Sequence, residues 1–237
     1  NNSQDTLLAA LPLSFDAGFS QLTTAFHVGA RVVLINYLLP RDVLNAIVRE
    51  KVTGLTAVPP LWIQLTQLKW PESVTQHLRY FANTGGRMPL ETLKTLRQNL
   101  PQTKPYLMYG LTEAFRSTYL PPEEINKRPD SIGKAIPNVE VLVLREDGSQ
   151  CAPGEPGELV HRGPLVSMGY WNDVEKTSAC FRQFSQRFKW CHGSLCQFCP
   201  CRPDVVPRCS CQKRRSCEDI YQWSPSCVNS LYIKYLY

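Results

Sequence analysis

Between residues 7 and 108, short apolar or β-branched runs alternate with segments whose apolar residues recur at helical spacing, and this alternation constrains the fold more than any other feature of the chain. Residues 7–13 are an apolar run ending in Pro12 and Leu13, read as a buried strand that leads into a loop. Asp16 then precedes residues 17–27, where Phe19, Leu22, Thr23 and Phe26 fall at helical spacing and Gly29 stops the helix. Residues 30–35 read as a strand. Pro40-Arg41-Asp42 opens a second helix through Lys51, with Val43, Leu44, Ile47 and Val48 on one face, and residues 54–58 give a further strand closed by Pro59-Pro60. Strand, helix, strand, helix, strand predicts an α/β domain with a largely parallel, two-sided sheet and flanking helices.

The pattern continues with a helix over 60–68, a short strand at 78–82, the Gly85-Gly86 turn, a helix over 90–100 and a strand at 105–108 that delivers the chain to Tyr109-Gly110. After Pro129 the texture changes. Short strands at 140–145 and 158–161 flank a turn at Glu146-Asp147-Gly148, which predicts a smaller β-rich subdomain packed on the α/β part. The resulting domain reading is 1–128 for the α/β subdomain, 129–182 for the β-rich subdomain and 183–237 for a tail.

Composition separates that tail from the rest. Eight of the 10 Cys follow Lys189, and from Phe184 onward there are 8 Lys and Arg against 3 Asp and Glu, so nearly all of the net charge of +6 belongs to the tail. The body therefore gives no electrostatic reason to expect nucleic acid or an anionic membrane as partner. No membrane span is expected, because the best apolar stretch, 28–39, carries Arg31 and Asn36 and falls short of the roughly 18 residues a spanning helix needs. The first residues carry neither a basic flank nor an apolar signal core, and the chain is expected to begin in mid-protein.

Tyr109-Gly110-Leu111-Thr112-Glu113 lies just beyond a predicted strand end, where open α/β sheets place their ligands. Gly110 allows close backbone approach, Thr112 offers a hydroxyl, and Glu113 offers a hard carboxylate suited to Mg²⁺. By themselves these residues also fit a polar loop with Glu113 near a helix N-terminus. Gly85-Gly86 equally fits an ordinary turn, and Tyr109 a core aromatic.

Four motifs in order narrow the reading. They are Asn83-Thr84-Gly85-Gly86-Arg87-Met88-Pro89, then Tyr109 to Glu113, then Asp130-Ser131-Ile132-Gly133-Lys134-Ala135-Ile136-Pro137-Asn138, and last Gly154-Glu155-Pro156-Gly157-Glu158-Leu159 with Arg162-Gly163-Pro164 and Met168-Gly169-Tyr170. With this order and spacing, residues 7–182 resemble the adenylate-forming superfamily: acyl-CoA synthetases, luciferases and the adenylation domains of peptide synthetases. The wording around Tyr80 to Gly86 and Glu113 to Ser117 looks closest to the AMP-forming acyl-CoA ligases associated with bacterial exosortase A systems.

The resemblance implies a fragment of the large N-terminal domain of such an enzyme, with ATP, Mg²⁺ and CoA as cofactors. Gly85-Gly86-Arg87 would form the wall against which adenine lies, Tyr109 would pack on its other face beside Gly110, Thr112 would contact the α-phosphate, and Glu113 would hold Mg²⁺. A carboxylic acid would be activated to an acyl-adenylate and passed to the thiol of CoA or of a carrier protein, in the cytoplasm. Ser14-Phe15-Asp16 resembles the peptide-synthetase pattern in which an Asp accepts a substrate ammonium; the competing reading makes Asp16 a helix cap. Val58-Pro59-Pro60-Leu61-Trp62 is a candidate lining of the acyl pocket, with Trp62 as the substrate-binding residue; plain core is the alternative. His27, His77 and His161 are read as structural.

The phosphate-binding loop and the later lysine domain that the family carries are not found in these residues, so the expectation is a fragment inactive alone. The rivals are an amino-acid-adenylating enzyme and a non-catalytic truncated remnant. For the Cys-rich tail the favoured reading is translation out of frame and absence of packed structure, with zinc bound around Cys196-Gln197-Phe198-Cys199 as the alternative.

Overall fold

The computed structural model describes residues 1–183 and 231–235. Its main body is a seven-stranded sheet in the order β2-β1-β3-β4-β5-β6-β7. The strands are β1 (Thr6–Ala9), β2 (Arg31–Leu34), β3 (Gly54–Ala57), β4 (Tyr80–Asn83), β5 (Lys104–Tyr109), β6 (Thr118–Leu120) and β7 (Lys134–Ala135). The first five run parallel, and β6 and β7 add on antiparallel. Helices α1 (Asp16–Val28), α2 (Pro40–Glu50), α3 (Pro59–Thr66) and α4 (Leu90–Asn99) fill the crossovers. Each sits where the sequence starts and stops it: proline opens α2 and α3, and Gly29 closes α1 in the left-handed conformation at φ 68°.

The order 2-1-3-4-5 reverses direction beside β1, the doubly wound arrangement, so right-handed crossovers send α1 to one face and α2, α3 and α4 to the other. Packing follows that rule: α2 touches α3, α3 touches α4, and α1 touches β1 and β2. The apolar stripe of α2 (Val43, Leu44, Ala46, Ile47), Leu61, Trp62 and Leu65 of α3, and Leu93 and Leu96 of α4 meet Leu8, Leu55, Ala57, Phe81 and Leu107 from the strands in one continuous core. Trp62 and Phe81 pack at 5.3 Å between ring centroids.

The expectation of a two-sided sheet with flanking helices holds, with α1 on the second face and α2, α3 and α4 on the first. The apolar stripe of α1 points the other way from the periodicity. Phe19 and Phe26 are exposed, whereas the buried residues of α1 are Gly18, Ser20, Gln21 and Ala25. The helix lies too close to its support for larger groups, because a Cβ on Gly18 would fall 2.0 Å from the Pro12 carbonyl oxygen.

Residues expected as a separate β-rich subdomain divide between two sheets. β7 completes the large sheet, while β8 (Glu140–Leu144) and β9 (Glu158–Arg162) pair antiparallel in a second sheet of order β10-β11-β9-β8. A short helix, α5 (Val174–Cys180), capped by the Asp173 side chain, leads into β10 (Phe181–Gln183). Strand β11 (Leu231–Tyr235) pairs with both β10 and β9. Of the tail read over 183–237, only Gln183 and residues 231–235 are described, and they lie in β10 and β11. The backbone of 231–235 finds ladder partners there, a tertiary pairing that no local period in the tail announces. The Cys196 and Cys199 pair, with the zinc and out-of-frame readings attached to it, lies outside the described residues.

Candidate active site

Parallel register brings the candidate loops to one edge. Ala57 on β3 stands beside Asn83 on β4, and Asn83 beside Leu107 on β5, so the segments that follow these strands leave the carboxyl edge side by side. Gly85 holds φ 71°, a conformation that costs a side-chain-bearing residue energy, and a Cβ there would meet Val58 Cγ1 at 3.1 Å. Buried Asn83 ties the turn, its Nδ2 donating to the Gly86 carbonyl at 2.7 Å, while its Oδ1 has no partner among the described residues. Arg87 leaves the turn toward solvent, 3.7 Å from Asp130, with both side chains exposed.

Tyr109 ends β5, and its ring lies 5.6 Å from that of His161 at an interplanar angle of 30°. At Gly110 a Cβ would fall 2.4 Å from the Arg116 backbone nitrogen, so the loop can fold back on itself only with glycine there. Thr112 and Glu113 sit in a single 3-10 turn, Thr112–Ala114, with Thr112 exposed. Glu113 is held by residues far along the chain: its Oε1 accepts from the Tyr170 hydroxyl at 2.7 Å, and its carbonyl accepts from the Ser167 N–H at 2.7 Å. Ala114 packs beside it against Val166 and Phe181.

A second link crosses the same boundary. Fully buried His161 on β9 places Nδ1 2.7 Å from Ser117 Oγ, and that hydroxyl donates to the Ala114 carbonyl at 2.8 Å. With the hydroxyl proton engaged, Nδ1–H is the donor to Ser117. Burial pushes the His161 pKa down, so the ring is neutral at ordinary pH. Sequence reading treated His161 as structural and Tyr170 as one letter of a motif. Tyr170 is 57 residues from Glu113 and His161 is 44 from Ser117, separations that no local period could reveal.

Asp16 caps nothing: the N-cap residue of α1 is Phe15, and no side chain caps that end of the helix. Asp16 instead stands in the first turn, close enough to attract the Arg116 guanidinium. The expectation for Trp62 is corrected. Its side chain is completely buried in the α2–α4 core and its indole N–H donates to the Ala57 carbonyl at 3.1 Å, so it lines no cavity.

The residues present fit a nucleotide and a magnesium ion. The Gly85-Gly86 turn is a bare backbone ledge against Val58 and Pro59, suited to a flat ring. Among the described residues no three His, Cys, Asp or Glu cluster as a cage for a metal. A lone carboxylate such as Glu113 is what Mg²⁺ takes when phosphates and water complete its shell.

A doubly wound sheet whose Gly85-Gly86 turn and Glu113 loop leave adjacent strands at the carboxyl edge fits the large domain of an adenylate-forming enzyme. The chain belongs to the AMP-binding enzyme family, whose pattern matches residues 1–171. It is 34% identical to a 2-succinylbenzoate–CoA ligase of Bacillus velezensis over 179 residues, covering 75% of this chain and 36% of that protein. It is 30% identical to a long-chain-fatty-acid–CoA ligase of Salmonella typhimurium, covering 73% and 31%. The O-succinylbenzoate coenzyme A synthetase of Bacillus subtilis, solved in complex with ATP and magnesium ion, superposes with a TM-score of 0.68 at 32% identity over 77% of this chain and 38% of that one. The chain thus spans about a third of the length of these curated relatives.

Proposed function

We propose that these residues form the nucleotide- and acid-binding part of an AMP-forming ligase that activates a carboxylate with ATP and passes the acyl group to CoA. The observation that carries the reading is a Glu113 carboxylate held by the Tyr170 hydroxyl, on the loop that follows β5 at the carboxyl edge of the sheet, with the Gly85-Gly86 turn following the adjacent strand β4. Gly85, Gly86 and Arg87 bound one side of the nucleotide site. Tyr109, braced by His161, offers the other aromatic face beside Gly110. Thr112, exposed in its turn, is free to donate to a phosphate oxygen, and Glu113 holds the magnesium ion that neutralises phosphate charge. The two subdomain links, Tyr170 to Glu113 and His161 to Ser117, orient this loop before substrate arrives, which is the preorganisation an electrostatic site needs.

The acceptor, CoA rather than a carrier-protein thiol, and the narrower likeness to exosortase-associated ligases belong to the same proposal. So does the choice of a carboxylic acid without an amine: Asp16 stands next to a cation, Arg116, which competes for any role in binding an ammonium. The test is ATP with Mg²⁺ titrated into the protein while its melting temperature is followed, together with pyrophosphate release on addition of acid and CoA. Nucleotide-dependent stabilisation that falls sharply in Glu113→Gln is expected. A nucleotide response identical in wild type and Glu113→Gln would overturn the assignment.

A further inference from the structure

The second face of the large sheet carries a cavity of about 650 Å³, open where α1 stops covering the strands. Its floor is built by alternate residues of three strands, Thr56 of β3, Tyr80 and Ala82 of β4, and Tyr106 and Met108 of β5, with Ser20, Gln21 and Thr24 of α1 as one wall. Arg79, Lys104 and Arg116 line it as well, with His77 beside them, and among the described residues no Asp or Glu does. A cleft walled by cations and low-dielectric surface concentrates anions.

The cations are not equivalent. Arg79 is engaged, its guanidinium making two 2.6 Å contacts with the buried Asp5 carboxylate. His77 uses Nδ1 on the Val52 carbonyl, and Lys104 is exposed at the opposite end of β5 from the nucleotide edge. Arg116 stands apart because it immediately follows the Thr112, Glu113, Ala114, Phe115 loop, at the end of the cavity next to the proposed reaction site. Its guanidinium has a long 3.4 Å contact to Ser20 Oγ and lies 5.1 Å from the Phe115 ring centre, and no carboxylate lies within ion-pair distance among the described residues. Burial dominates and pulls the Arg116 pKa down, although Tyr80 and, less strongly, Asp16 favour its charge from farther away. A guanidinium does not give up its proton, so the half-buried Arg116 keeps its charge with part of its desolvation uncompensated by any carboxylate contact among the described residues.

The backbone reinforces the placement. Arg116 holds φ 42°, in the left-handed region that a non-glycine residue occupies at some cost, and Gly110 has no side chain where one would collide with the Arg116 nitrogen. Two constraints therefore aim one long cation into the cavity.

We infer that Arg116 is a specificity-determining residue that binds a second carboxylate on the acid, so that the substrate class is dicarboxylic acids rather than simple fatty acids. The inference rests on the ligase reading above, in that the other carboxylate of the same molecule is the one activated beside Glu113. Fork-shaped pairing of guanidinium with carboxylate gives both the attraction and the orientation.

The test uses straight-chain probes, dicarboxylates from succinate to suberate and monocarboxylates of equal chain length, titrated into the protein without ATP and followed by ligand-observed NMR. The best dicarboxylate should bind about tenfold tighter than its monocarboxylate partner, as expected for a charge-assisted pair. Arg116→Gln should reduce that ratio to near one, leaving the monocarboxylate affinity as it was. A merely structural arginine would lower melting temperature and weaken both series alike. Should Arg116→Gln fail to fold, Arg116→Lys serves: it keeps the charge, loses the fork, and should lower the ratio severalfold. Equal binding of the two series by wild type, or a dicarboxylate preference that survives substitution of Arg116, overturns the proposal. Acid-dependent pyrophosphate release is scored separately with ATP and Mg²⁺; its absence with every acid counts against the ligase reading, while the binding ratio alone decides the role of Arg116.

Discussion

On β3, β4 and β5, Leu55, Ala57, Phe81 and Leu107 enter the core beneath α2, α3 and α4, while their neighbours Thr56, Tyr80, Ala82, Tyr106 and Met108 face the cavity. The two faces are interleaved along the same strands, because successive side chains of a strand point to opposite sides. One face is apolar, closed and supported by three helices. The other carries hydroxyls, phenols and cations around an open volume. The difference teaches that one short strand can supply stability with its odd positions and chemistry with its even ones, so mutations two residues apart report similar things and mutations one residue apart do not.

Four measurements would break or sharpen that contrast. The largest effect belongs to the closed face. Trp62→Ala removes the biggest fully buried side chain, its contact with Phe81 and its hydrogen bond to Ala57, and should cost about 3–5 kcal/mol by denaturant unfolding. A loss under about 1 kcal/mol would mean that the core is not packed as described. Next comes Asp5→Asn at the base of the sheet, which removes the buried charge bonded to Arg79 and Thr53. Arg79 is half exposed and can rehydrate, so the expected cost is about 1–3 kcal/mol. The Asp5 carboxyl is held below its ordinary value: although burial opposes ionisation, the Arg79, Thr53 and Asn2 hydrogen bonds outweigh it. Its stabilising contribution is thus present above the ordinary carboxyl value of 3.8 and is lost as pH falls through the lowered folded value, an acid limb that Asp5→Asn should flatten.

A smaller effect is expected at the seam between the subdomains. The His161 pKa is depressed by burial, so the folded protein prefers the neutral ring, and the stability that follows is present above the ordinary imidazole value of 6.5 and declines as pH falls toward and through the lowered one. His161→Gln should remove that slope in unfolding measured between pH 7 and 5, and an unchanged slope would show that the ring titrates freely. The smallest effect is on the open face, where Lys104→Ala removes an exposed side chain and should change stability by no more than about 0.5 kcal/mol. A loss as large as that of Asp5→Asn would mean the cavity face is itself structural.

Much of this was legible before any coordinate. The apolar stripe of α2 and the prolines opening α2 and α3 carry local information, since helical periods and caps are decided within a few residues. The Gly85-Gly86 and Tyr109 to Glu113 motifs were legible too, because a tight turn and a strand-end loop leave short, ordered signatures. Side-chain direction on α1 was not. Periodicity finds Phe19 and Phe26 on one stripe without saying which stripe meets the sheet, and the small residues won because the backbone of α1 lies close to Pro12.

The succession of strands and helices and the loops that carry the motifs were legible because each is set by residues near one another in the chain, and the parallel sheet followed from that alternation, since a strand joined to the next through a helix returns in the same direction. Only the tertiary structure decided that Trp62 is core, that Tyr170 holds Glu113 and His161 holds Ser117, that residues 231–235 join the second sheet, and that Arg116 looks into a cavity without a carboxylate in its lining. The reason is physical: these depend on which distant surfaces meet, and on which charges are left without a carboxylate when they do.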